Sequence, residues 1–346
     1  MGWLIRCGPG CEPGQSGAGS AGRTRLSSRA GRADGRAGQD TGSRAGRRDI
    51  TLASEQLKTV YDMLAGVDLS GLTLEQRRAV MASAGAPPPE GTVVDPVDAG
   101  GVPAEWVTAA GVRGDRVVLF FHGGAYHIGS LGTLRRLLAL VSDAAQARVL
   151  SVDYRLAPEY PFPAAVDDAV AAYRFLLGCG ADARRVAIAG NSSGGGLALA
   201  ALVALRDAAQ PVPAAAVAIS PWTDLEMTGE SVRTRADADR MITPDGLQEA
   251  AAWYLAGQDP RHPYASPLRA DLRGLPPVLL HVGNAEILLD DSTRFAASAS
   301  GAGVDVTLEV WDEMPHCWHT FAGLLPEADQ AIGRIGRWVQ ERIPAS

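Results

Sequence analysis

The sequence predicts an α/β fold, a mostly parallel central sheet with helices on both faces. Three observations carry this. Short β-rich apolar runs recur near 117–121, 148–152, 186–190, 214–220, 277–282 and 304–311, with helical stretches between most of them. Such strand–helix alternation gives parallel strands covered on both sides. One run, Arg185-Val186-Ala187-Ile188-Ala189, passes directly through Gly190-Asn191-Ser192-Ser193-Gly194 into an apolar helix, a sharp strand-to-helix turn. The chain has 346 residues, 46% hydrophobic and 21% charged, which is enough for one large core with excursions.

The elements follow in order. Residues 1–48 hold nine arginines, three acidic residues and no lysine, a net charge of +6 that leaves −13 for the rest. Gly, Ala, Ser and Arg dominate there, so the stretch cannot bury enough surface to offset its ordering entropy, and it is read as a disordered, functionally silent tail. It has no apolar core of a secretory signal. Residues 49–90 are expected to form N-terminal helices. Leu57, Val60, Tyr61 and Leu64 fall on one helical face, with Ser54 as the expected cap. Thr73 and Gln76 have the spacing of a capping box for a second helix. Extended pieces near 92–96 and 103–109 are expected to add antiparallel strands at one edge. The catalytic domain is then expected over 91–346. An excursion from about Trp222 to His262 leaves the sheet between the strands Ala214–Ser220 and Pro277–Val282; it carries Ala251-Ala252-Trp253-Tyr254.

The glycine-flanked Ser192 is a candidate nucleophile. The glycines two residues to either side remove side chains that would clash in so tight a turn. The helix that follows directs free N–H groups at charge developing on a substrate. About seventy residues earlier, the strand Arg116–Leu119 runs into Phe120-Phe121-His122-Gly123-Gly124-Ala125-Tyr126. Acyl transfer passes through a tetrahedral oxyanion that needs preorganised donors, and the backbone amides of Gly123, Gly124, Ala125 and Ser193 are candidates.

A nucleophile of this kind works with an acid and a histidine, which in α/β-hydrolases follow the serine in that order. Six histidines are present: His122, His127, His262, His281, His316 and His319. His281 lies inside an apolar strand and reads as a packed core residue. His316 follows the alternating strand Val304–Trp311, in a loop from which a base can reach the serine; His319 is the competitor, three residues on. After the strand ending at Val282, Glu286 comes earliest and is assigned as the acid, with Asp290 second. Asp290 and Asp291 are expected to open the next helix and cap its N–H groups. Tyr126 and Trp222 are candidate walls of the substrate pocket. Arg155, between Asp153 and Glu159, suggests a local ion-pair cluster with a structural role.

With these residues in place, the chain resembles the hormone-sensitive-lipase-like esterases, an α/β-hydrolase family, from about Val93 to its end. The resemblance rests on His122-Gly123-Gly124, on Asp153-Tyr154-Arg155-Leu156-Ala157-Pro158-Glu159, on Gly190-Asn191-Ser192-Ser193-Gly194-Gly195 and on Met314-Pro315-His316. Glu286 with Leu288-Leu289-Asp290-Asp291 looks like the bacterial branch that contains monoterpene lactone hydrolases and acetyl hydrolases. The chain departs from the family at Ala125, where a third glycine is usual, and at Asn191, where Asp is usual. At Glu286 many members carry Asp. The resemblance implies an α/β-hydrolase fold with a helical cap, built from the N-terminal helices and an insertion at about 222–262. It also implies hydrolysis of short-chain apolar esters or lactones by a serine acyl-enzyme, with no metal or organic cofactor. A non-catalytic receptor on the same fold is the other reading; plant gibberellin receptors resemble these esterases but lack the histidine, which here is His316. A long-chain lipase is a third.

The formal net charge of −7 argues against nucleic acid as a ligand. No apolar run approaches the roughly twenty residues that span a bilayer. The expected partner is therefore a small ester or lactone, in a cytoplasmic enzyme, with a homodimer left open. Cys7, Cys11, Cys179 and Cys317 are too few and too scattered for a disulfide framework, and Cys317 reads as a small packing residue beside the base.

Overall fold

The computed structural model describes residues 54–67, 69 and 71–345; the arginine-rich stretch 1–48, with Cys7 and Cys11, lies outside them. Two helices come first, α1 (Glu55–Ala65) and α2 (Leu74–Ser83). The strands β1 (Val93–Asp98), β2 (Pro103–Thr108) and β3 (Val117–Phe121) follow, then α3 (Leu131–Ala145), β4 (Arg148–Val152) and α4 (Ala164–Gly178). Next come β5 (Val186–Asn191), α5 (Ser193–Asp207) and β6 (Ala215–Ile219). The excursion contributes α6 (Ser231–Thr234) and α7 (Pro244–Leu255), before β7 (Val278–Gly283), α8 (Leu289–Gly301), β8 (Val306–Trp311) and α9 (Pro326–Arg342).

The eight strands form one sheet in the order β1-β2-β4-β3-β5-β6-β7-β8. Strands β3 to β8 run parallel, while β2 is antiparallel to both β1 and β4, which places the antiparallel pieces at one edge as their sequence suggested. Successive side chains of a strand point to opposite faces, so a sheet buried on both sides feeds two apolar layers. In β3, Val117, Leu119 and Phe121 enter one layer and Val118 and Phe120 the other. In β5, Val186 and Ile188 are divided in the same way from Ala187 and Ala189. The first layer packs the sheet against α4, α5, α7 and α8; the second packs it against α1, α3 and α9.

Two local expectations are corrected by distant partners. Ser54 precedes α1, yet its hydroxyl makes no bond to that helix. Its N–H and Oγ instead donate to the Glu327 carboxylate at the start of α9, at 2.7 and 2.8 Å. A buried carboxylate is a stronger acceptor than the turn's own geometry offers. The ion-pair cluster expected within 153–159 does not form. The loop carries Arg155 back over α4, where it makes a forked pair with Asp168 at 2.7 and 2.9 Å. Glu159 instead takes both arms of Arg78 on α2, at 2.7 Å each. The Thr73–Gln76 capping box does form. No helix among the described residues is long and apolar enough to cross a membrane.

Candidate active site

Parallel strands release their loops at one end of the sheet, and four of these loops meet. The turn after β5 sets Ser192 at φ 55° and ψ −125° as the residue before α5. A Cβ on Gly190 would fall on the carbonyl of Gly194, and one on Gly194 would fall on the carbonyl of Phe121, so only glycine fits at either place. The loop after β8 brings His316 over the serine, with Nε2 2.9 Å from Ser192 Oγ. The loop after β7 brings Glu286, whose Oε2 lies 2.8 Å from His316 Nδ1. All three side chains are buried, and Glu286 has no exposed surface. A carboxylate only accepts, so Nδ1 carries the hydrogen and Nε2 is left to accept from the serine.

Glu286 is held from its other side. Its Oε1 accepts from the Gly283 amide at 2.6 Å and from Ser220 Oγ at 2.7 Å. Burial pushes its carboxyl up, against the hydrogen bonds from His316, Gly283 and Ser220. Burial also opposes a charge on His316, but Cys317 and the Glu286 carboxylate outweigh it and raise the imidazole well above its ordinary range. The two candidates ranked behind these residues are placed elsewhere. His319 is fully buried and pairs with His281 at 3.0 Å, away from the serine. Asp290 Oδ2 accepts the Ser231 amide of α6 at 2.9 Å. Asp291 Oδ1 accepts the amides of Thr223 and Asp224, at 2.7 and 2.9 Å. Both carboxylates open α8 as expected, but they anchor the excursion rather than cap their own helix.

The loop after β3 lies against the nucleophile turn. The Gly123 amide donates to Asn191 Oδ1 at 2.9 Å and is therefore engaged, unlike the free donor expected from sequence. The amides of Gly124, Ala125 and Ser193 make no hydrogen bond among the described residues. His122 is fixed beneath them: its ring stacks on Tyr154 at 4.4 Å, and its Nδ1 lies 2.7 Å from the Gly123 carbonyl. Burial lowers its pKa to about 4, so it stays neutral there. Tyr126 and Trp222 were the expected pocket walls. Both are fully buried in the first layer, because large rings gain most when wholly removed from water. Two contributors escaped the sequence. Ser220, at the end of β6, donates to Glu286 and accepts the Cys317 amide at 3.2 Å. Asn191 joins the β3 loop to the base loop, since its Nδ2 also reaches Cys317 Sγ at 3.5 Å. The only sequence signal for either was the unusual Asn before the nucleophile. No group of three or more His, Cys, Asp and Glu among the described residues is placed to hold a metal.

The α/β-hydrolase-fold family matches residues 118–320. This chain belongs to that family. Other members are similar over most of its length. An acetyl-hydrolase of Streptomyces hygroscopicus is 44% identical over 297 residues, 84% of this α/β-hydrolase and 97% of the relative. An esterase of Acinetobacter venetianus is 37% identical over 242 residues, 67% of this chain and 80% of its own. Among solved structures, an esterase of the bacterial hormone-sensitive lipase family is 47% identical with a TM-score of 0.82, over 85% of this α/β-hydrolase and 100% of that chain. EstE5 soaked with p-nitrophenyl butyrate is 46% identical, also with a TM-score of 0.82, over 84% and 99% of the two chains.

Proposed function

We propose that this α/β-hydrolase is a serine hydrolase of carboxylic esters, with Ser192 as nucleophile, His316 as base and Glu286 as the orienting acid. One observation carries the reading: an unbroken hydrogen-bonded path from Ser192 Oγ through both nitrogens of His316 to Glu286, with links of 2.9 and 2.8 Å. His316 takes the serine proton as Oγ attacks the ester carbonyl. The oxyanion collects donors from the free amides of Gly124, Ala125 and Ser193. His316 then protonates the leaving alcohol, and water attacks the acyl-enzyme with the roles reversed. Glu286 stabilises the imidazolium and holds its tautomer. The relatives named acetyl-hydrolase and esterase support ester bonds as the target. The substrate class we propose is short-chain apolar esters, or lactones, in which the alcohol stays tethered to the acyl group.

The test is hydrolysis of p-nitrophenyl esters from acetyl to decanoyl, beside Ser192→Ala. Turnover should peak at short chains and fall in the variant by about 10³-fold or more. Turnover unchanged in Ser192→Ala would remove that residue from its role.

A further inference from the structure

The pair Trp253-Tyr254, on α7 of the excursion, has no part in the chemistry above. Both rings nevertheless lie on the loop that carries the oxyanion donors. The Tyr254 ring stacks on Tyr126 with centroids 3.8 Å apart and planes 6° from parallel. Trp253 meets His127 edge-on at 5.1 Å and 77°. Tyr126 and His127 directly follow the free amides of Gly124 and Ala125.

That loop is strained. Gly124, Ala125 and Tyr126 have φ of 122°, 48° and 64° in succession. A residue other than glycine held at positive φ is disfavoured by about 1–3 kcal/mol, and it persists only where its surroundings over-determine it. The loop's hydrogen bonds are its own, with the His127 and Ile128 amides donating to the Gly124 carbonyl at 3.0 Å each, or come from elements other than α7. The Tyr126 amide donates to Ser193 Oγ at 3.3 Å, and its carbonyl accepts from the Ala157 amide at 2.8 Å. Arg78 Nε donates to the His127 carbonyl at 2.8 Å. The helix α7 contributes rings alone. Neither the Tyr126 nor the Tyr254 hydroxyl has a hydrogen-bond partner among the described residues, so the contact between them is ring on ring. Meanwhile α2 spans both parts, since Arg77 pairs with Glu249 of α7 at 2.9 Å and its neighbour Arg78 holds the loop.

We propose that Tyr254, seconded by Trp253, is a positioning residue for the reaction: it acts through Tyr126 and His127 to hold the Gly124 and Ala125 amides where the oxyanion forms. The inference rests on the serine-hydrolase reading above. It makes the placement of the excursion a determinant of transition-state stabilisation. An oxyanion donor acts only when it is aimed correctly, and an ångström of displacement costs a large factor in rate.

The test compares Tyr254→Leu, Tyr254→Phe and Trp253→Leu with the unsubstituted full chain and with Ser192→Ala. It reads kcat and KM on p-nitrophenyl acetate and the inhibition constant of a phenylboronic acid, whose tetrahedral serine adduct uses the oxyanion donors. For Tyr254→Leu, kcat should fall by about 10–100-fold and boronate affinity by a similar factor, with KM within about twofold. Tyr254→Phe keeps the stack and should restore both to within about twofold. Unchanged kcat and boronate affinity in Tyr254→Leu would overturn the proposal, as would a loss confined to KM, which marks a pocket wall. A Phe variant as impaired as Leu would also overturn it. If circular dichroism shows Tyr254→Leu unfolded, Trp253→Leu decides. Its half-buried side chain is easier to replace, and a parallel fall of about threefold or more in kcat and boronate affinity is expected; no change overturns the proposal. Full turnover in Ser192→Ala would overturn the triad and this coupling together. A dead Ser192→Ala beside an unaltered Tyr254→Leu would overturn the coupling alone.

Discussion

At the scale of single residues, the position of His316 between a buried carboxylate and a buried hydroxyl decides how the site responds to pH. As the proposed base His316 works only when neutral, and Cys317 together with the attracting Glu286 carboxylate favours its protonated form against burial, so the acid limb of kcat/KM should lie above the ordinary histidine range. Replacing Glu286 by Gln removes that attraction. The limb should then move to lower pH while turnover falls by about 10³–10⁴-fold. Asp290→Asn should leave turnover within about twofold and lower stability by about 1 kcal/mol, since it weakens one hydrogen bond to the excursion. A pH–rate profile and a denaturation curve on both variants check the pair, and the reverse ranking would make Asp290 the acid. That Ser192, His316 and Glu286 meet was legible, because each sits at a strand end in a known order. The full burial of Tyr126 and Trp222 was hidden, because a sequence shows that a ring is large, not whether it is enclosed. The engaged Gly123 amide was equally hidden, since its partner Asn191 is 68 positions away.

At the scale of elements, α1 shows how a local rule yields to a distant one. Its apolar face was legible from spacing, and Leu57 and Val60 are buried as that face requires. Its start at Ser54 was legible too, but the bonding of that hydroxyl was not, because its acceptor is Glu327, 273 positions on. The helix also touches the base loop, with Tyr61 Oη donating to the Glu313 carbonyl at 2.7 Å. Burial first, then Asp239 and Glu313, push that phenol to about 12, so it stays a donor throughout the working range. Glu327→Ala should leave both Ser54 donors without their acceptor and cost about 1–3 kcal/mol. Hydrogen exchange should then quicken in α1 before it does in β5 or α5. Uniform exchange across the chain would show that the clamp does not set the stability of α1. The Thr73–Gln76 box was legible because both of its bonds close within one turn, with no third party to compete.

At the scale of the whole molecule, the sheet's strands belong to two layers at once, so the layers cannot melt separately. Leu138→Ala on α3 and Leu202→Ala on α5, both fully buried and on opposite faces, should each cost about 2–5 kcal/mol. Each should lower one common transition, followed by tryptophan fluorescence and far-ultraviolet circular dichroism together. Two separate transitions would show that the layers are independent units. The parallel alternation was legible from the spacing of apolar runs, because burial on both faces leaves little choice of residue. The pairing order of the strands was not, because it depends on which crossovers close in space. The division of Val117–Phe121 between two layers has a consequence for how such a chain can change over generations. Adding or losing one residue within β3 would turn every later side chain of that strand to the opposite face and shift His122 and Gly123 with it. Insertions and deletions can therefore accumulate only in connections that belong to neither layer, and the central strands are bound to keep their length while the loops vary.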